Sequence, residues 1–168
     1  MKQNVELWQQ APYILEQIGK GVLLTTAADG KVNTMTIGWG TLGIQWGKPI
    51  FIAFVRESRY TKELLDKNPE FTVNIPYSSC DKSILSICGT RSGREIDKIQ
   101  DLNLTPVPGD TVSVPGFREL PLTLECKVIY RQDQAPDAIC KAALERYYPH
   151  GDFHTAYYGE VTAAYRIV

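Results

Sequence analysis

The segment from Leu120 to Tyr130, LPLTLECKVIY, constrains the fold more than any other. It sets Leu122, Leu124, Cys126, Val128 and Tyr130 against Thr123, Glu125 and Lys127, a two-residue period that only an extended strand satisfies. One dry face and one wet face are expected. FTVNI behaves similarly, sending Phe71, Val73 and Ile75 inward as a half-buried strand. IFIAFV, residues 50 to 55, is apolar throughout and predicts a central strand buried on both faces. VLLTTA and KVNTMTI meet at Ala28-Asp29-Gly30, a tight hairpin turn. The closing HTAYYGEVTAAYRIV has strand composition, with a bulge expected at Gly159.

Helical signals are shorter. Leu7, Trp8 and Ala11, then Ile14, Leu15 and Ile18, predict two short helices with Pro12 in the first turn of the second, ending at Gly19 and Gly21. Ser58 is expected to cap TKELLDKN, whose apolar side is Tyr60, Leu64 and Leu65. Asp81 should cap a short helix carrying Ile84, Leu85 and Cys88 and stopping at Gly89. Ser92 and Glu95 form a capping-box pattern ahead of Ile96, Ile99 and Leu102. Pro136 opens a helix reaching Tyr147. Between Thr105 and Leu120, prolines and glycines predict a loop with at most one short edge strand. This order lacks the strand-helix alternation of a doubly wound sheet. The expected fold is mainly β with peripheral helices, an antiparallel barrel in a single domain over residues 1–168.

Charge excludes some functions. With 18 basic and 19 acidic residues there is no electrostatic footprint for nucleic acid. No apolar stretch approaches the roughly 20 residues that span a bilayer, and no secretory leader pattern opens the chain, so a soluble cytoplasmic protein is expected. Cys80, Cys88, Cys126 and Cys140 are scattered, without C-x-x-C spacing, and only His150 and His154 could join them. They are expected to be reduced core thiols, and no metal site is expected.

Two segments carry chemistry. Arg56, Ser58, Arg59, Tyr60 and Thr61 lie between a buried strand and a helix N-terminus, where amides, hydroxyls and guanidinium groups suit an anion. The plainer alternative is that Ser58 only caps the helix while both arginines are solvated or pair with Glu57, Glu63 or Asp66. Neither a Walker loop nor a G-x-G-x-x-G that follows a strand and opens a helix is present. In NTMTIGWGTLGIQW, Asn33, Thr34 and Thr36 offer polar groups to the edge of a flat ring, and Met35, Trp39 or Trp46 offer a face. The alternative makes the tryptophans core aromatics and the glycines barrel bends.

The runs NTMTIGWGTLGIQWGKPIFIAFVRESRYTKELL, CGTRSGREIDKI, LPLTLECKVIY and HTAYYGEVTAAY, in that order, resemble the signature blocks of the flavin reductase-like proteins, particularly their flavoredoxin-like branch. The resemblance covers about Val22 to Tyr165. It implies an FMN-binding split β-barrel that works as a homodimer, with FMN near the subunit interface. It further implies hydride transfer from NADH or NADPH to flavin N5 and electron delivery to free flavin or a redox protein; the alternative is an FMN electron carrier without direct nicotinamide chemistry. By the same resemblance, Ser58, Arg59 and Thr61, with Arg56, would hold the phosphate, and Asn33, Met35, Thr36 and Trp39 would meet the ring. Ser92, Gly93 and Lys98 would approach the flavin, and His154 matches the histidine that opens the last block. Lys98 would favour reduction by its charge or be a solvated helix residue, and His154 would relay a proton or cap a strand.

Overall fold

A strand pair of unusual length organises the chain in a computed structural model that describes residues 1–77 and 80–168. The elements run β1 (Lys2–Asn4), α1 (Leu7–Ile18), β2 (Val22–Ala28), β3 (Lys31–Ile37), β4 (Gly40–Gln45), β5 (Lys48–Arg56), α2 (Tyr60–Lys67) and β6 (Glu70–Ile75). They continue α3 (Lys82–Thr90), α4 (Lys98–Asp101), β7 (Pro106–Val107), β8 (Gly116–Phe117), β9 (Leu122–Asp133), α5 (Lys141–Tyr147) and β10 (His154–Ile167). Eight strands form one antiparallel sheet in the order β3-β2-β6-β9-β10-β5-β4, with β1 added to the far end of β10. The mainly β fold with helices outside is the expected one.

The hairpin forms as its residues dictate. Val22 pairs with Ile37 and Ala28 with Lys31, and Asp29 and Gly30 close the turn at φ of 52° and 73°, the left-handed pair a two-residue loop requires. Inside the sheet, Leu24, Phe51, Ala53, Val55, Phe71, Val73, Leu124, Cys126 and Tyr157 make the main core, which Ile14 and Ile18 of α1 close. Register irregularities flank Gly159. A Cβ there would stand 2.5 Å from Phe71 Cζ and 2.8 Å from Cys126 Cβ, so glycine is needed for β10 to lie on the core. The spacing Gly38-x-Gly40-x-x-Gly43 enters strand β4 rather than a helix, so it makes no dinucleotide turn.

Several expectations change. The N-terminal segment is a single helix through Pro12, because Ile14 and Ile18 bury on the sheet and outweigh the hydrogen bond that proline removes. IFIAFV is fully buried on one face and only partly on the other: Phe51, Ala53 and Val55 are covered, whereas opposite them Ile50 is buried and Ile52 and Phe54 are half-buried. The helix after Pro136 divides into a 3-10 turn at Pro136–Ala138 and α5. Of the cysteines, Cys88 and Cys126 are core, whereas Cys80 is half-buried and Cys140 exposed; all are free thiols.

The largest correction concerns the wet face of β9. Thr123 and Glu125 are fully buried. The proline-rich segment carrying β7 and β8 folds over them and over β6, which is therefore buried on both faces. Thr72 Oγ1 donates to Pro115 O at 2.7 Å. Glu125 receives the Asp110 and Thr111 amides at 2.7 and 2.6 Å and the Thr111 hydroxyl at 2.7 Å. Burial alone would raise the Glu125 pKa, but these hydrogen bonds outweigh it and hold the carboxyl below the ordinary glutamate value. Glu125→Ala should therefore lower the unfolding free energy by about 3 kcal/mol, through loss of charged hydrogen bonds. An unchanged urea midpoint would show that the covering segment is held by other contacts.

Candidate functional site

β5 carries the chain from the core to Arg56, and Glu57, Ser58 and Arg59 turn it into α2. Arg59 occupies the N-cap position, and no side chain closes the cap. The expected Ser58 cap is thus not made. The Ser58 amide and hydroxyl instead donate to the two carboxylate oxygens of Asp152 at 2.9 and 2.8 Å. Arg56 is committed to the same loop, its Nη1 and Nη2 donating to the carbonyls of Asp152 and Tyr147 at 2.8 and 3.0 Å. Glu63 pairs with Arg94, and Asp66 with Lys62 and Arg131, so neither takes Arg56 or Arg59. Arg59 and Arg91 make no side-chain hydrogen bond or ion pair with the described residues.

Two adjoining hollows open beside this turn and share Met35 and Arg59. One, of about 190 Å³, is lined by Met35, Thr36, Trp39, Arg56, Arg59 and His154, with Phe54 behind them. The other, of about 130 Å³, is lined by Asn33, Met35, Ser58, Arg59, Thr61, Ser92, Gly93 and Lys98. Every residue that the resemblance assigns to the flavin therefore lies on one hollow or the other, whereas Thr34 and Trp46, also considered for the ring, line neither. Trp39 is partly exposed and Trp46 largely so, and neither belongs to the core. Thr36 has a limited part to play, since its hydroxyl is spent on Leu85 O at 2.6 Å.

The second block folds differently from its capping-box pattern. Ser92 Oγ accepts the Arg94 amide at 3.2 Å, and the Ser92 carbonyl accepts Glu95 N and Ile96 N at 3.1 and 3.2 Å, which closes a turn rather than opening a helix. Asp97 is the real cap, accepting the Ile99 and Gln100 amides, each at 3.1 Å. Delaying the helix to Lys98 points that lysine inward. It is 4% exposed, with Nζ donating to Thr34 O at 2.9 Å and Cys88 O at 3.0 Å, so it is not a solvated helix residue. Burial lowers its pKa, and the Arg59 charge adds to that against an opposing contribution from Cys88. One ammonium hydrogen remains for a ligand. The turn also presses on β3: a Cβ on Gly93 would fall 1.9 Å from Asn33 Oδ1. Asn33 in turn donates to Thr61 Oγ1 at 3.0 Å.

Sequence reasoning passed over Arg91 and Arg94, which line the smaller hollow with Tyr60 and Cys88. Their signal was the basic run of CGTRSGRE, within the same block as Ser92. His154 lies opposite Arg56 in the β10-β5 register, and its ring centroid is 5.2 Å from that of Trp39. Burial, and then the Arg56 charge, push its pKa down to about 4, so the imidazole is neutral at pH 7.

A split barrel with a cationic trough between β3, the β5-α2 turn and the Ser92 turn defines a recognisable class. Residues 15–167 match the flavin reductase like domain family, and the chain belongs to it. It is 28% identical to flavoredoxin from Methanosarcina acetivorans, with a TM-score of 0.68 over 88% of this chain and 68% of that one. The FMN-binding domain of a flavin reductases-like enzyme from Shewanella baltica OS155 shares the fold at 18% identity, with a TM-score of 0.71 over 99% of this chain and 77% of the other. An uncharacterised protein of Archaeoglobus fulgidus is 32% identical over 99 residues, 59% of this chain and 55% of that relative's length.

The depressed His154 pKa has a thermodynamic consequence. The unfolded chain titrates this group near 6.5 and the folded one near 4, so the unfolded state binds the extra proton between them. The stability that His154 contributes is complete above about pH 6.5 and declines by about 1.4 kcal/mol per pH unit as pH falls through that window. Glu125 and Asp66, held below their ordinary values, add their losses only at lower pH. Urea midpoints should therefore fall between pH 7 and pH 5, and His154→Gln should flatten that fall. A variant with the full wild-type dependence would place its origin elsewhere.

Proposed function

We propose that the chain binds FMN and acts as an oxidoreductase of the flavin reductase type, with NADH or NADPH as donor and free flavin or a redox protein as acceptor. The observation carrying this reading is the smaller hollow, whose lining includes Arg59, Arg91, Arg94 and Lys98 and, among the described residues, no aspartate or glutamate. A site this cationic suits a dianionic phosphate. Two of its guanidinium groups, Arg59 and Arg91, have no side-chain partner among the described residues to give up. Gly93 supports the same fit, since its missing Cβ lets the Ser92 turn close onto Asn33 at the floor of the hollow.

Arg59 and Arg91 would hold the phosphate with the hydroxyls of Thr61 and Ser92. Arg56 and Ser58, expected to share that task, are better read as fasteners of the Asp152 loop. The ring would lie along Asn33, Met35 and the backbone of Thr36 toward Trp39. Lys98, beneath this strand, would favour the negative charge that reduction adds, and His154 would face the ring's far end. Bound FMN supplies a two-electron carrier that takes hydride at N5 and yields electrons to an acceptor. A carrier role without direct nicotinamide chemistry is the second reading, supported by the 28% identity to a flavoredoxin.

Quenching of FMN fluorescence tests binding. Arg59→Ala removes a charged hydrogen bond of about 1.5 to 3 kcal/mol, and so should weaken FMN roughly tenfold to a hundredfold. Wild-type protein that leaves FMN emission unquenched would end the proposal. Stopped-flow mixing of the FMN-loaded protein with NADH or NADPH then separates the readings: rapid bleaching supports the reductase, and persistent yellow colour supports the carrier.

The reading extends to a homodimer, supported by the uncovered β4 hairpin, where Ile44 and Trp46 are 72% and 65% exposed. Sedimentation should give a dimer that Trp46→Glu dissociates, whereas a wild-type monomer would remove it. The four free thiols favour a reducing compartment such as the cytoplasm.

A further inference from the structure

His154 is tied into a closed hydrogen-bond circuit whose polarity can be derived. Its backbone amide donates to Gln134 Oε1 at 3.2 Å, which fixes the orientation of that amide group, because the opposite orientation would set two donors face to face. Tyr148 Oη donates to the same oxygen at 2.8 Å. The phenol has a single proton and spends it there. Tyr148 Oη also stands 2.7 Å from His154 Nδ1, and toward that nitrogen it has only a lone pair to offer. Nδ1 must therefore carry the imidazole proton. In a neutral ring Nε2 is then bare, and it has no hydrogen-bond partner among the described residues. His154 lines the hollow that holds Trp39.

We infer that Tyr148 is a positioning residue: with Gln134 it locks His154 in the Nδ1–H tautomer, so that Nε2 accepts a hydrogen bond from an imide or carboxamide N–H of the molecule bound against Trp39. The ligand half of this inference rests on reading that hollow as the ring site; the tautomer half does not. The surroundings suit an acceptor rather than a cation. Arg56 brings the largest charge to the ring, Asp152 opposes it and Arg59 adds a smaller positive contribution, and Arg56 further lies 5.1 Å from the Tyr148 ring centroid. The imide N–H belongs to the isoalloxazine of FMN and the carboxamide N–H to a nicotinamide, so the same acceptor could meet either source.

The chain has only two histidines, His150 and His154, so long-range proton-nitrogen spectra of the 15N-labelled protein resolve both rings. At pH 7, His154 should show a protonated Nδ1 and an unprotonated Nε2, and Tyr148→Phe should release it into a mixture of tautomers. A protonated Nε2 in wild-type protein overturns the inference without any variant having to fold. Adding FMN, and then NADH under anaerobic conditions, should move the Nε2 resonance as it accepts a hydrogen bond. A shift with FMN alone identifies the imide, and one that waits for NADH identifies the carboxamide. If neither ligand moves it while the flavin absorbance in the same tube reports bound FMN, the acceptor role is wrong and the proposed function stands. If no flavin binds, it is the functional reading that fails, and the tautomer result remains independent of it.

Discussion

The pairing of β10 with β9 on one side and β5 on the other is the constraint on which the rest of the structure depends. β10 can lie against both only because Gly159 has no side chain to collide with Phe71 and Cys126. Its register then sets His154 opposite Arg56, at the strand end where β5 leaves the core. A one-residue slip would turn His154 to the other face and carry the Asp152 loop away from Ser58. Packing deep in the barrel thus determines which groups meet at its rim.

At that rim the protein uses its polar groups for two purposes. Arg56 and Ser58 face inward along the chain, holding the loop from Tyr147 to Asp152 by its carbonyls and its carboxylate. Beside them, Arg59 and Arg91 have no side-chain partner among the described residues. Like charges brought this close repel, and Lys98 intensifies the field from a buried position. Two backbone carbonyls stabilise the lysine, yet the excess positive charge is balanced by nothing in the hollow's own lining. An arrangement that costs stability when empty gains by binding an anion, which is the physical basis for placing a phosphate there.

Much of the framework was legible because it rested on short-range signals. The Asp29-Gly30 hairpin and the Asp81 cap formed as local chemistry required, with Asp81 accepting the Ser83 amide at 2.8 Å. The β9 alternation was read correctly as a strand and wrongly as half wet, since nothing near Glu125 in sequence announces that Asp110 and Thr111 will cover it. Ser58 and Ser92 misled for a related reason. Each matches a helix-cap pattern, but Asp152 reaches Ser58 from 94 residues away, and Asp97 competes with Ser92 from within the same block. Local rules name the groups able to form a bond; tertiary structure chooses among the partners.

The residues gathered at the trough were legible for another reason, because their grouping in blocks reflects a shared location rather than a shared element. Asn33 and Met35 come from β3, Arg59 and Thr61 from the start of α2, and Ser92, Gly93 and Lys98 from the turn before and within α4. The circuit behind His154 had no such signal. Gln134 and Tyr148 belong to segments on either side of α5, and neither residue type marks a site in isolation. Their meaning lies in the direction of one proton, from Tyr148 to Gln134, which decides the protonation of a ring at the opposite end of the phenol oxygen. A histidine described only by its position and pKa would be a neutral base of unspecified tautomer; the circuit makes it an acceptor at a definite atom.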